Sequence, residues 1–108
     1  MRVYIAGPYT QGDVAENIRQ VIYAAEQVRE AGHVPFVPHL YHLWHLISPQ
    51  LPEYWRKLDI DWLVICHAFI KLDGDSKGAD LEEDLCSEIN IPIYYTVKEF
   101  LNTVLLDK

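Results

Sequence analysis

The feature of this sequence that most restricts its fold is a repeated switch between two hydrophobic periods. Val3-Tyr4-Ile5-Ala6 is a short apolar run ended by Gly7-Pro8, the pattern of a buried strand entering a loop. After Asp13, a residue suited to capping a helix, Ile18, Val21, Ile22, Ala25 and Val28 recur at three- and four-residue spacing until Gly32. That spacing predicts an amphipathic helix over 14–31. The switch then recurs along the chain. His33 to Val37, Trp62 to Leu72 and Ile91 to Tyr95 read as further strands, and 53–61, 77–89 and 97–106 as helices. His39 to Ile47, crowded with His, Tyr and Trp, shows no clean period.

Strands that are apolar along their whole length and alternate with helices demand a parallel sheet covered on both faces. The expected fold is therefore α/β: one domain over 1–108, a doubly wound Rossmann- or flavodoxin-like parallel sheet of four to five strands. Ligands of such sheets bind outside the carboxyl ends of the strands. That rule selects three segments: Gly7 to Gly12, Pro38 to Ile47, and Asp73 to Glu82.

Composition narrows the function classes. Sixteen acidic against nine basic residues give a net charge of −7, and no Lys/Arg stripe offsets it, so a nucleic-acid polymer is not an expected partner. A small anion remains compatible, because helix N-termini and loop amides hold phosphate without net positive charge. No apolar stretch approaches the ~20 residues that cross a bilayer, so no membrane partner is expected. The sequence runs at once into an apolar strand pattern, so no signal segment is expected. Cys66 and Cys86 lie in apolar runs with no pairing pattern, which fits two buried thiols in a cytoplasmic protein. Seven Tyr and three Trp in so short a chain fit aromatic contacts between subunits of a homo-oligomer.

The three loop segments also carry a resemblance. Val3-Tyr4-Ile5-Ala6-Gly7-Pro8-Tyr9, then Pro38-His39-Leu40-Tyr41-His42-Leu43-Trp44-His45, then Asp59-Ile60-Asp61-Trp62-Leu63, and Ser76-Lys77-Gly78-Ala79-Asp80-Leu81-Glu82 with Ile91-Pro92-Ile93 follow one another along the chain. In this order they resemble the nucleoside 2-deoxyribosyltransferase-like family, which includes deoxyribonucleoside 5′-monophosphate N-glycosidases. The resemblance implies a small-molecule nucleoside or nucleotide as partner, and cleavage or transfer at its N-glycosidic bond. It implies a nucleophilic glutamate opening the helix after strand three, which is Glu82 here with Glu83 as the alternative. It implies an acidic partner three residues before a Trp-Leu pair, which is Asp59. It places Ser76 and the loop Gly7, Pro8, Tyr9 near the sugar or its 5′ substituent. Two departures stand out: the first loop has no arginine for a 5′-phosphate, and His67 follows Cys66 where the family pattern has Asp. The first favours an unphosphorylated substrate; the second allows a catalytically silent nucleotide-sensing module on the same fold.

The residue types suit the chemistry. Breaking an N-glycosidic bond passes through an oxocarbenium-like centre, which needs one carboxylate beneath C1′ and one proton donor for the departing base. Glu82, near a helix N-terminus, is expected to be held ionised. Asp59 becomes the proton donor if burial and Glu82 raise its pKa. Tyr9 is a candidate to hydrogen-bond the nucleophile or the sugar, and Thr10, Ser76 and Gly78 to contact the sugar or phosphate. His39, His42 and His45, flanked by Tyr41 and Trp44, suggest a stacking wall for base and sugar; no local acid or cysteine completes a zinc set. Asp73-x-Asp75-x-Lys77-Gly78 echoes a calcium loop, but Lys77 stands where an oxygen donor belongs. No metal or cofactor is expected. The acceptor, water or a second base, stays open.

Overall fold

The computed structural model describes residues 1–106. Its elements are β1 (Arg2–Ala6), α1 (Val14–Glu30), β2 (Val34–Phe36), a 3-10 turn (Pro38–Leu40), α2 (Tyr41–Ile47), α3 (Pro52–Leu63), β3 (Ala68–Lys71), α4 (Lys77–Glu88), β4 (Ile93–Tyr94) and α5 (Val97–Leu106). All four strands are parallel, in the order β2-β1-β3-β4. This is the doubly wound, flavodoxin-like sheet expected from the sequence, with four strands among the described residues.

Strand alternation divides the core into two layers. Val3 and Ile5 face one way and pack with Val21, Ala25 and Val28 of α1 and Phe100 of α5. Tyr4 and Ala6 face the other way and pack with Leu63 of α3 and with Ala79 and Cys86 of α4. Register places Tyr4 directly between Phe36 of β2 and Phe69 of β3. The three rings form a row, with centroids 5.4 and 5.7 Å apart. This row is the floor beneath α3 and α4.

Two helix starts follow local chemistry. Asp13 caps α1 by accepting from the amides of Ala15 at 2.9 Å and Glu16 at 3.3 Å. Ser76 caps α4 by accepting from the Ala79 amide at 3.1 Å. Gly32, past the end of α1, adopts φ +93°.

The structure corrects the expected third strand. Trp62 and Leu63 end α3 instead, and Val64 to Cys66 continue in helical turns through the bonds Val64 N to Ile60 O, Ile65 N to Trp62 O and Cys66 N to Leu63 O. Only Ala68–Lys71 pairs in the sheet. An unbroken apolar run carries no period that separates a helix end from a buried strand. The aperiodic 39–47 segment forms the 3-10 turn and α2.

β2 and β3 lie on opposite sides of β1, so the connections leaving β1 and β3 part from one another. The crevice between them is the switch point of a doubly wound sheet.

Candidate active site

A cavity of about 600 Å³ opens at this switch point, within the range of small-molecule sites. Its inner wall is made by Glu82 of α4 and Asp59 of α3. Glu82 is not in the first turn of α4, as expected, but in the second, and it is 9% exposed. Its Oε2 accepts the hydroxyl hydrogen of Tyr4. Burial pushes the Glu82 carboxyl up to about 7, against the pull of the Tyr4 bond and the Arg56 charge. Desolvation thus outweighs the small favourable field expected near a helix N-terminus.

Asp59 is raised further, to about 8, first by burial and then by the Glu82 charge, with Arg56 opposing. Its Oδ1 is buried and has no hydrogen-bond partner among the described residues. Tyr4 remains a donor, because burial and the charges of Glu82 and Asp59 hold its hydroxyl well above the ordinary tyrosine value. The cavity therefore presents two carboxyl groups that exchange protons near neutrality.

Glu83 points elsewhere. Lys71 Nζ lies 2.8 Å from its Oε1 and 2.6 Å from Asp80 Oδ1, and Tyr95 donates its hydroxyl hydrogen to Glu83. These partners hold the Glu83 carboxyl below its ordinary value. It is not part of the cavity wall.

Of the other residues singled out in the sequence, Gly7, Tyr9, Thr10, His39, His42, His45, Ser76 and Gly78 line the cavity. Tyr9 pairs with His42 Nδ1, so the bond to the glutamate belongs to Tyr4 and not to Tyr9. Each histidine has its own partner. His39 Nε2 donates to the Pro8 carbonyl at 2.9 Å, and burial holds its pKa down. His45 Nδ1 accepts from Trp55 Nε1 at 2.9 Å. Among the described residues no group of three His, Cys, Asp or Glu side chains converges as a metal set would.

Pro8 and Trp44 do not line the cavity. The Pro8 ring packs over Gly74, where an added Cβ would lie 2.5 Å from Pro8 Cγ. Trp44 is half exposed on the outer side of α2, its ring 5.8 Å from Tyr41 and 5.3 Å from Trp55. A helical turn points successive side chains in different directions, so Trp44 cannot share the inward direction of both His42 and His45.

His67 belongs to the opposite edge of the sheet. Its Nδ1 accepts from the Arg2 amide at 2.9 Å, where β1 begins. It has no part in the cavity. Cys66 and Cys86 are free and buried.

Sequence reasoning missed Arg56, Lys77 and Trp55 on the cavity wall, where Tyr41, which the sequence grouped with the histidines, also lies. Tyr41 and Trp55 stack at 5.6 Å and 28°. The Arg56 guanidinium forms no hydrogen bond or ion pair among the described residues, and its charge acts on both Asp59 and Glu82. The available signal was its place one helical turn before Asp59.

Comparison with solved structures gives the same architecture. The chain is similar to a 2-deoxyribosyltransferase from the psychrotolerant bacterium Bacillus psychrosaccharolyticus, at 18% identity and TM-score 0.67, covering 86% of this chain and 69% of that one. It is also similar to a conserved protein from Enterococcus faecalis V583, at 18% identity and TM-score 0.63, covering 85% of this chain and 60% of that one. At such identities the likeness is one of fold. No curated protein matches the sequence. A family profile described as a domain of unknown function, DUF7768, matches residues 1–96, and the chain belongs to that family.

Proposed function

We propose that the protein cleaves or transfers at the N-glycosidic bond of a (deoxy)nucleoside or nucleoside 5′-monophosphate, as nucleoside 2-deoxyribosyltransferase-like proteins do. The observation that carries this reading is a pair of carboxyls, buried Glu82 and half-buried Asp59, on the wall of a nucleoside-sized cavity. The fold likeness to a 2-deoxyribosyltransferase supports it.

In the proposed reaction the ionised Glu82 attacks C1′ as the C1′–N bond breaks. The bonding electrons leave with the base, and Asp59, protonated below about pH 8, gives that base its proton. The Tyr4 bond holds one Glu82 oxygen, leaving the other for C1′. Water or a second base, deprotonated by the Asp59 carboxylate, then displaces the glutamate. Tyr41 and Trp55, stacked on the wall, suit a planar base. Arg56 and Lys77 offer positive charge to a 5′-phosphate that the arginine-free first loop does not provide.

The test is incubation with a panel of deoxynucleosides, ribonucleosides and their 5′-monophosphates, alone and with a second free base. Released or exchanged base is read by chromatography. Base release or exchange that disappears in Glu82→Gln supports the proposal; a folded protein that acts on no member of the panel overturns it.

A further inference from the structure

The charges around the cavity are unbalanced. Three acids, Asp59, Asp75 and Glu82, line it against two bases, Arg56 and Lys77. Arg56 is the base whose charge acts on both inner carboxyls, Asp59 and Glu82. Asp59 Oδ1 is buried and meets no hydrogen-bond donor among the described residues. Two carboxyls drawn out of water and facing one guanidinium leave the inner wall wanting a second cation.

Aromatic rings border the same spot. Trp55 and Asp59 are four residues apart on α3, one turn above the other on a single face, and both line the cavity. Tyr41 stacks on Trp55. Burial raises the Tyr41 hydroxyl, and the Asp59 charge adds to that rise, so the aromatic pair and the carboxyl are neighbours. Tyrosine and tryptophan rings present negative faces that attract a cation within ~6 Å. A neutral base answers the rings alone and must draw a proton from Asp59. A planar ring that carries positive charge answers both the rings and the carboxyl.

We propose that this site takes N-glycosides of cationic bases, such as pyridinium nucleosides, in which the ring nitrogen bonded to C1′ is quaternary. The inference rests on the glycosidic reading above and narrows its substrate class. A Glu82 oxygen forms its bond to C1′ as the C1′–N bond breaks. The bonding pair returns to the ring nitrogen and cancels its charge, so the base leaves neutral and takes no proton. Asp59 then serves as a carboxylate, paired with the ring while the substrate is bound, because a nearby cation favours its ionised form. Water displaces Glu82 from C1′ and gives its proton to Asp59. In a neutral purine or pyrimidine nucleoside the same bonding pair leaves an anion unless Asp59 protonates the base.

Pairs of substrates with the same sugar test the proposal: nicotinamide riboside against adenosine, and nicotinamide 2′-deoxyriboside against deoxyadenosine. Free base is read by chromatography near neutral pH. In at least one pair, kcat/KM for the pyridinium member should be at least ~10-fold higher. Asp59→Asn should split the two classes. The pyridinium substrate loses a paired carboxylate, ~10- to 100-fold in KM. The neutral substrate loses its proton donor, ~10²-fold or more in kcat.

A binding measurement stands apart from turnover. Calorimetry on Glu82→Gln compares nicotinamide riboside with its reduced dihydropyridine form, which keeps the sugar and loses the charge. The oxidised form should bind at least ~10-fold more tightly. Base release that favours the neutral member of both pairs overturns this inference and leaves the glycosidic reading standing. So does equal binding of the oxidised and reduced forms, or an Asp59→Asn loss that falls on kcat for both classes. Release from no member of either pair overturns both readings.

Discussion

Tyr4, in the middle of β1, donates its hydroxyl hydrogen to Oε2 of Glu82, in the second turn of α4 and 78 residues away in the chain. The bond joins the central strand to the helix that carries the acid. It also favours the ionised carboxylate, opposing the burial that pushes Glu82 up to about 7.

Tyr4→Phe removes that support, so the Glu82 carboxyl should rise above about 7. If activity needs Glu82 ionised, the acidic limb of the pH–rate profile moves upward, and each unit of movement costs ~10-fold in rate below it. Stability should drop by ~1.5–3 kcal/mol at pH 8, where the bond is charge-assisted, and by less at pH 5. Rate profiles and denaturant titrations at the two pH values check both statements.

Neighbouring glutamates should respond oppositely. Glu82→Gln is expected to lower base release at least ~10³-fold while the protein still folds. Glu83→Gln should stay within a few-fold in rate and lose ~1 kcal/mol or less of stability, as for one member of a partly exposed ion pair with Lys71. Loss of activity in Glu83→Gln alone would exchange their roles.

The sequence separated these elements unevenly. β1 and α1 were legible because a β-branched run and a three–four spacing have no rival interpretation. Trp62 to Cys66 was misassigned because an unbroken apolar run looks alike in a helix end and a buried strand. Glu82 and Glu83 stayed open for a different reason: adjacent helix positions differ by about 100° in direction, and only the position of Lys71 shows which acid turns inward. The Tyr4 contact was hidden because a tyrosine in an apolar strand reads as core. Trp44 was grouped with the histidines by proximity in sequence, whereas helix geometry turns it outward. Arg56 carried no signal beyond its spacing from Asp59.

Stability should fall as pH rises. Asp59 at about 8 and Glu82 at about 7 in the folded chain compare with ordinary carboxylates near ~4 when unfolded. The native state therefore holds more protons between those limits. The stabilisation is complete below ~pH 4 and is lost as pH rises through 7 and 8. Glu16, Glu26 and Glu83, whose values are lowered, act in the opposite sense only below ~pH 4.5, and the lowered His39 opposes the decline up to ~pH 6.5, one imidazole against two carboxyls. Melting temperature should thus decline from pH 5 to pH 8.5 in the wild type and flatten in Asp59→Asn. A wild-type melting temperature that rises across this window would contradict the burial of the pair.

Chelation should change nothing. His39, His42 and His45 are bonded to Pro8, Tyr9 and Trp55 respectively, so freeing them for one ion would break three contacts. EDTA treatment is expected to leave both activity and melting temperature unaltered; stoichiometric zinc in the purified protein would refute this.

Arg56 should decide between nucleoside and nucleotide. One charge-assisted hydrogen bond is worth ~1.5–3 kcal/mol, or roughly 10- to 100-fold. Arg56→Ala is expected to reduce kcat/KM for a 5′-monophosphate by that factor, and more than for the matching nucleoside. Measuring both substrates at two salt concentrations separates a positioned contact from long-range attraction, which salt screens.

Gly74 meets two separate demands. Its φ of +119° excludes most side chains, and a Cβ there would strike the Pro8 ring at 2.5 Å. The two positions therefore bind evolution unequally. A smaller residue at position 8 relieves the contact but leaves the left-handed backbone, so it does not free position 74. Any other residue at 74 must solve both problems at once. Among descendants of this sequence, change at 8 can come by single steps, whereas change at 74 has to wait for the loop after β3 to be rebuilt.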